Sequence, residues 1–370
     1  MRSLQTWLYL LAVMTVLQVA VAQPEQTHKA HTALVHALAV SPDGKYLASG
    51  GFDNLIKLWE ILPDGTLKEV KTFSGHTGPV YALAFHPKAP LLISASQDKT
   101  GRIWNLADGK TIAELKGHAD IVDTVAISPD GQWIATGSAD KGVRLWKATD
   151  GKEVKNLGAH GGTVYAVAFS PDSKWLASAS ADKTVKIWDV AAQKEYKVLK
   201  GHEDAVTSLT FTDDPDAVVT AALDRTLRLW SVKAVQEIKE QPKDKEKKEP
   251  PKEAKKEDKA KKEDKAKKDD KAKTDTPMEV KIDPKLLGEM KRWGPTADDP
   301  YTLTWHTGAK VLAVCGYSGQ VTIWTLSEAQ PKFGKRIFNP AYCIVFLPNG
   351  KAVVTGHDNG TLVVTPWGGK

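Results

Sequence analysis

The sequence predicts an all-β chain: seven copies of a four-stranded antiparallel sheet set in a closed propeller, interrupted by one charged low-complexity insertion. Three observations lead there. Five units repeat a histidine, a valine four residues on, a serine or threonine, an aspartate and a tryptophan. They are His31, Ser49, Asp53, Trp59; His76, Ser94, Asp98, Trp104; His118, Thr136, Asp140, Trp146; His160, Ser178, Asp182, Trp188; and His202, Thr220, Asp224, Trp230. Histidine and tryptophan stand 28 residues apart in all five, and successive tryptophans 45, 42, 42 and 42 apart, which makes the repeat the first feature to interpret. Within each unit, alternating or β-branched runs such as 164–170 (VYAVAFS), 174–180 (KWLASAS) and 184–190 (TVKIWDV) read as strands. Turns such as Ser41-Pro42-Asp43-Gly44 and Ser128-Pro129-Asp130-Gly131 separate them. Four short strands per unit, repeated, is the blade pattern.

Two weaker units follow. Residues 301–305 (YTLTW) align with 165–169 (YAVAF), and Ser318 and Trp324 then fall at the aspartate and tryptophan positions. In the last unit, 341–346 (AYCIVF) matches a first strand, Asp358 is read as the turn aspartate, and Val364 stands in place of the tryptophan. Setting aside the leader and the insertion leaves about 42 residues for each of seven blades, against about 50 for each of six, so the count is seven. The last unit ends after its third strand. Residues 23–30 are expected to supply the missing outer strand by pairing with 361–365, which removes an exposed edge and closes the ring.

The two remaining segments have other compositions. One arginine precedes an apolar stretch from Trp7 to Ala22 that ends in Ala20-Val21-Ala22, the layout of a cleaved secretory leader over 1–22. The alternative is an uncleaved membrane anchor, although 16 residues containing Thr15 and Gln18 are short for a span. Export to the periplasm or outside the cell is expected, with no stable membrane span after cleavage. Blades one to five then occupy 23–240, the insertion 241–291, and blades six and seven 292–370. The insertion repeats KKEDKA, KKEDKA, KKDDKA over 255–272 and cannot bury enough apolar surface to join a core. Acid-then-lysine pairs such as Glu257 with Lys261 and Glu263 with Lys267 support a fraying exposed helix. The segment reads as a solvated spacer or, alternatively, as an arm for an anionic surface. Residues 231–240 align with the segment after Trp188, so the fourth strand of blade five is expected before the insertion, which would then leave on the upper face. If residues 278–282 form that strand instead, the insertion leaves below.

Charge and cysteine content exclude several functions. The chain carries 51 Lys plus Arg against 45 Asp plus Glu, and 239–273 alone holds 16 lysines and 11 acids, so nearly all of the formal +6 sits in the insertion. The remainder has no cationic field for nucleic acid. Two cysteines cannot build a disulfide scaffold or a four-thiolate zinc site.

With Gly75-His76, Gly117-His118, Gly201-His202 and Trp188-Asp189, the repeats resemble the WD-repeat β-propeller family over most of the mature chain, five units well and two in degenerate form. The leader would make this an exported member of the bacterial type. Serine, histidine and aspartate together suggest a hydrolytic triad, but a triad occurs once per active site and this set occurs five times with a tryptophan attached. The resemblance implies a buried hydrogen-bonded chain from tryptophan through the hydroxyl and histidine to aspartate. No pair of histidines has metal-ligand helical spacing, no glycine run cradles phosphate, and no cofactor is expected. Cys315 and Cys343 are read as buried free thiols, with an inter-blade disulfide as the alternative.

The family's partner-contacting positions are the residue after the first-strand valine, the residue two before it, and the one preceding the tetrad aspartate. The first maps to His36, Tyr81, Asp123, Tyr165, Thr207, Tyr301 and Tyr342; the last to Phe52, Gln97, Ala139, Ala181, Leu223, Tyr317 and His357. From these, His36, Phe52, Tyr81, Gln97, Asp123, Tyr165, Tyr301, Tyr317, Tyr342 and His357 form the expected upper-rim site, with His36 and His357 not committed to any tetrad. Tyrosine suits an interface because it buries a rigid face and keeps a polar tip. The expectation is a monomeric, non-catalytic scaffold binding a protein or peptide on that rim. The alternative is a small-ligand binder or enzyme using the central channel.

Overall fold

The repeat produces seven four-stranded antiparallel sheets, seen in a computed structural model that describes residues 25–233, 289–294, 296, 298–337 and 339–368. The leader and the KKEDKA tract lie outside these residues. In each of blades one to six, four consecutive strands lie side by side in chain order. Blade seven takes its fourth strand from the other end of the chain: Gln26–Lys29 pairs antiparallel with Thr361–Pro366, in the register Gln26 with Val364 and Lys29 with Thr361. Among the described residues no helix is long and apolar enough to cross a membrane.

First strands of adjacent blades run next to one another around a central channel. Seven apolar clusters fill the seven interfaces between neighbouring blades. Trp104 of blade two packs with Ile56, Leu58 and Phe73 of blade one. Trp146, Trp188, Trp230 and Trp324 repeat this against the preceding blade, and Trp59 packs against Val354 and Leu362 of blade seven. In blades one to six the tryptophan of the repeat is thus the main apolar wedge against the preceding blade.

Blade five departs from the expected boundaries. Its fourth strand is Glu289–Trp293, paired with Leu227–Ser231 in the register Leu227 with Trp293. The strand positions expected at 234–240 and at 278–282 lie outside the described residues, and the expected insertion boundary at 291 falls within Glu289–Trp293. The physical reason is Trp293. It is 4% exposed and takes the position where blades one, two and four place the buried Phe73, Leu115 and Leu199. The chain departs at Lys233 from the end of the third strand, where Asp216 of the turn between strands one and two accepts hydrogen bonds from Ser231 Oγ and the Lys233 amide. That end is opposite the channel mouth described below, so the upper-face exit is corrected to the lower face.

Blade seven carries a one-residue correction. Ala341 pairs with His357, as Val35 pairs with Gly51, so Thr355 aligns with Ser49 and Asn359 with Asp53. The tetrad aspartate position is Asn359, not Asp358, and the tryptophan position is Thr365, not Val364. Turn chemistry supports this register: the residue after the tetrad aspartate is left-handed in blades one to five, from Asn54 to Arg225, and its equivalents are Gly319 and Gly360. A Cβ on Gly360 would stand 2.2 Å from the His31 carbonyl, so only glycine fits where blade seven meets blade one. With Thr365 in place of the wedge, Phe333 and Trp367 pack on the interface between blades six and seven, and Trp367 Nε1 donates to the Gly350 carbonyl at 2.7 Å.

Deleting residues 23–30 exposes the strand Thr361–Pro366 along its whole edge. The unfolding midpoint is expected to fall by ~5 °C or more in differential scanning calorimetry. An unchanged midpoint would show that ring closure does not depend on this strand.

Candidate functional site

The side chains that repeat and those that do not repeat have separate places. In blades one to five the tryptophan Nε1–H donates to the serine or threonine hydroxyl at 2.8–2.9 Å. That hydroxyl lies 2.6–2.8 Å from histidine Nε2, and histidine Nδ1 lies 2.7–3.0 Å from an aspartate oxygen. Since the hydroxyl oxygen already accepts from tryptophan, its proton goes to Nε2, and Nδ1–H donates to the carboxylate. Burial lowers the pKa of His31, His118 and His160 against the pull of their aspartates, which keeps the rings neutral. Burial also opposes ionisation of the aspartates, but hydrogen bonds from histidine and backbone amides outweigh it and hold Asp53, Asp98, Asp140, Asp182 and Asp224 low. All twenty tetrad residues are thereby committed to one another.

His357 is a correction of function as well as register. It is fully buried, with Nε2 2.8 Å from Thr355 Oγ1 and Nδ1 3.0 Å from the Pro340 carbonyl. A histidine on the second strand thus meets the threonine that a turn histidine meets elsewhere. It is not a rim residue, and a shift of one residue along a strand reverses the face. The rim position of blade seven is Asp358, which is exposed. The sequence signal was present: Asp98-Lys99-Thr100, Asp182-Lys183-Thr184 and Asp224-Arg225-Thr226 match Asn359-Gly360-Thr361, with the Asx side chain accepting from the threonine amide in each.

The other rim residues converge through a recurring irregularity. Between the first and second strands of every blade the register skips one residue: Val35 to Ala37, Val80 to Ala82, Val122 to Thr124, Val164 to Ala166, Val206 to Ser208, Pro300 to Thr302 and Ala341 to Cys343. The skipped residues are His36, Tyr81, Asp123, Tyr165, Thr207, Tyr301 and Tyr342. A bulge releases a residue from the ladder and re-aims its side chain. All seven line a channel cavity of about 520 Å³, joined there by Leu223.

The rings form a continuous group. His36 lies 4.8 Å from Tyr81, 5.9 Å from Tyr301 and 6.3 Å from Tyr342 between ring centres. Phe52 joins Tyr81 at 5.3 Å, and Tyr317 joins Tyr342 at 6.1 Å. His36 Nδ1–H donates to the Tyr81 carbonyl at 2.9 Å, and burial lowers its pKa. Burial and the neighbouring Tyr342, Tyr81, Tyr165 and Asp123 push the Tyr301 phenol up to about 12, so it remains a neutral donor. Tyr317 is 60% exposed, Tyr165 40% and Leu223 39%, and Gln97 is also exposed.

Asp123 is the exception in this set. Its Oδ2 is buried and has no hydrogen-bond partner among the described residues. Burial and the nearby Asp120 raise its pKa to about 7, partly offset by the Ala139 amide. Among the described residues no group of three or more His, Cys, Asp or Glu is placed to hold a metal. Cys315 and Cys343 are free and buried, their Sγ atoms near the Ala341 and Val35 carbonyls at 3.4 and 3.5 Å, and burial raises both thiols.

Two measurements check this division. Ser94→Ala leaves Trp104 Nε1 and His76 Nε2 without their shared partner and is expected to cost about 1–3 kcal/mol in denaturant titration; no change would contradict the structural role. Asp123→Asn should stabilise the fold, and more at pH 8 than at pH 5. The folded carboxyl titrates near 7 against ~4 when unfolded, so ionising it destabilises the native state as pH rises. A variant equally stable or weaker at both pH values would contradict that environment.

Comparison with known families agrees with this geometry. Residues 80–248 match the family model described as the second β-propeller of echinoderm microtubule-associated proteins, and residues 22–60 match the WD domain, G-beta repeat. No curated protein matches the chain. The two matches, five complete tetrads and seven four-stranded blades together place the chain in the family of WD-repeat β-propellers.

Proposed function

We propose that this propeller is a non-catalytic scaffold that docks a protein or extended peptide across the upper mouth of its channel. WD-repeat propellers commonly serve as protein-interaction scaffolds, and the observation that carries the reading here is the continuous ring group from Phe52 through Tyr81, His36, Tyr301 and Tyr342 to Tyr317. It offers a rigid aromatic floor with polar tips, and Tyr165, Leu223 and Tyr317 extend from it into solvent. Large rigid side chains of this kind lose little entropy on binding and dominate interface energetics. The apolar leader and its small-residue end support export, so the partner would be met in the periplasm or outside the cell.

The exposed members test this without disturbing the core. A partner captured from the exported fraction should be lost with the variant Tyr165→Ala, Leu223→Ala, Tyr317→Ala. It should be kept by an outer-edge control, Ile112→Ser with Tyr196→Ser, both sites also being exposed. Loss with the edge control and retention by the rim variant would assign docking to the outer strands and overturn the reading.

A further inference from the structure

The docking face contains one group that an aromatic floor does not explain. Asp123 occupies the bulge position of blade three, where blades two and four have Tyr81 and Tyr165, and it faces the same cavity. A buried carboxylate oxygen with no partner is costly, and among the described residues no hydrogen-bond donor reaches Oδ2. Tyr81, Tyr165 and Tyr301 line the same cavity beside it. A negative charge among tyrosine faces is a complementary setting for a cation.

The surrounding upper face carries both signs. Asp120, Asp204 and Asp358 are exposed on the upper face. Lys99, Lys141 and Lys183 are exposed there too, Lys99 Nζ donating to the Ala119 carbonyl and Lys183 Nζ to the Glu203 carbonyl, while Arg225 pairs with Asp299 at 2.8 Å. Inside the mouth the balance is different: among the described residues that line the cavity Asp123 is the only acid, and no lysine or arginine joins it.

We infer that the docked peptide inserts a lysine or arginine side chain into the channel mouth, where its N–H group donates to Asp123 Oδ2 and its charge rests against Tyr81, Tyr165 and Tyr301. This rests on the docking reading and specifies its anchor. A quaternary ammonium would meet the tyrosine faces but has no N–H, and would leave Oδ2 unpaired. A metal ion would need further ligands, and none are grouped there among the described residues. The high pKa of free Asp123 agrees with a site built for an absent cation, whose arrival would favour the ionised form.

The test is selection of random linear peptides on the intact chain. Selected peptides should share a lysine or arginine at one position and bind Asp123→Asn about tenfold or more weakly. Replacing that lysine by norleucine should weaken binding to the wild type similarly and abolish the difference between wild type and variant. Calorimetry must show that Asp123→Asn melts no lower than wild type. Asp123→Thr, which copies the blade-five residue Thr207, provides a second variant of the same charge change. Peptides that need Tyr165, Leu223 and Tyr317 but share no basic residue, or that bind both Asp123 variants as they bind wild type, would overturn the cationic anchor and leave rim docking intact. Failure to select any peptide that depends on the rim would overturn both.

Discussion

A buried chain of hydrogen bonds from tryptophan through a hydroxyl and a neutral histidine to an ionised aspartate is the constraint on which this molecule depends. It crosses each blade from the third strand to the second, to the entering turn and back to the tight turn. One interaction thus fixes the positions of all the elements that surround the first strand. The same tryptophan fills the gap to the preceding blade, which couples order within a blade to packing between blades. Where the chain is lost, substitutes appear. Blade six has Val314 at the hydroxyl position, and Trp324 Nε1 donates instead to Thr322 Oγ1 at 2.9 Å. Blade seven keeps Thr355 and meets it with His357 from the same strand. Ring closure by Gln26–Lys29 then holds the two degenerate blades between conventional neighbours.

That rigidity is what makes a display surface affordable. With the tetrads engaged inside the blades, the residues that vary stand at the bulge position and at the position before the tetrad aspartate, and the bulge turns seven of them toward one channel. Four of the seven are tyrosines, and the others are histidine, aspartate and threonine. Uniform backbone geometry with varied side chains means that a change at one position need not disturb the hydrogen bonds that hold the blade.

Much of this was legible in the sequence because strict spacing at 28 residues leaves little choice of register, and the tetrads of blades one to five read correctly to the residue. The closing strand was legible from an arithmetic deficit of one strand. What failed did so for physical reasons. In blade seven Asp358 precedes Asn359, and the aspartate drew the register one residue early, turning His357 outward on paper when it is buried in fact. In blade five the nearest segment after Trp230 carries strand-like character, whereas the sheet takes the distant Glu289–Trp293, whose Trp293 fills the apolar position of Phe73, Leu115 and Leu199. Sequence alone also listed Asp123 as one rim residue among ten. The burial of its Oδ2, without a partner among the described residues, arises from the packing of neighbouring blades, which no spacing along the chain displays.

The chain's eight tyrosines offer the most direct view of the claim that the channel mouth is the working face. Tyr81, Tyr165, Tyr301, Tyr317 and Tyr342 belong to it, while Tyr46 and Tyr196 lie on other parts of the blades. With ring-labelled tyrosine and assigned carbon–proton NMR signals, a bound partner or selected peptide should shift the five mouth resonances and leave Tyr46 and Tyr196 in place. Shifts confined to Tyr46 and Tyr196, with the five unmoved, would contradict it.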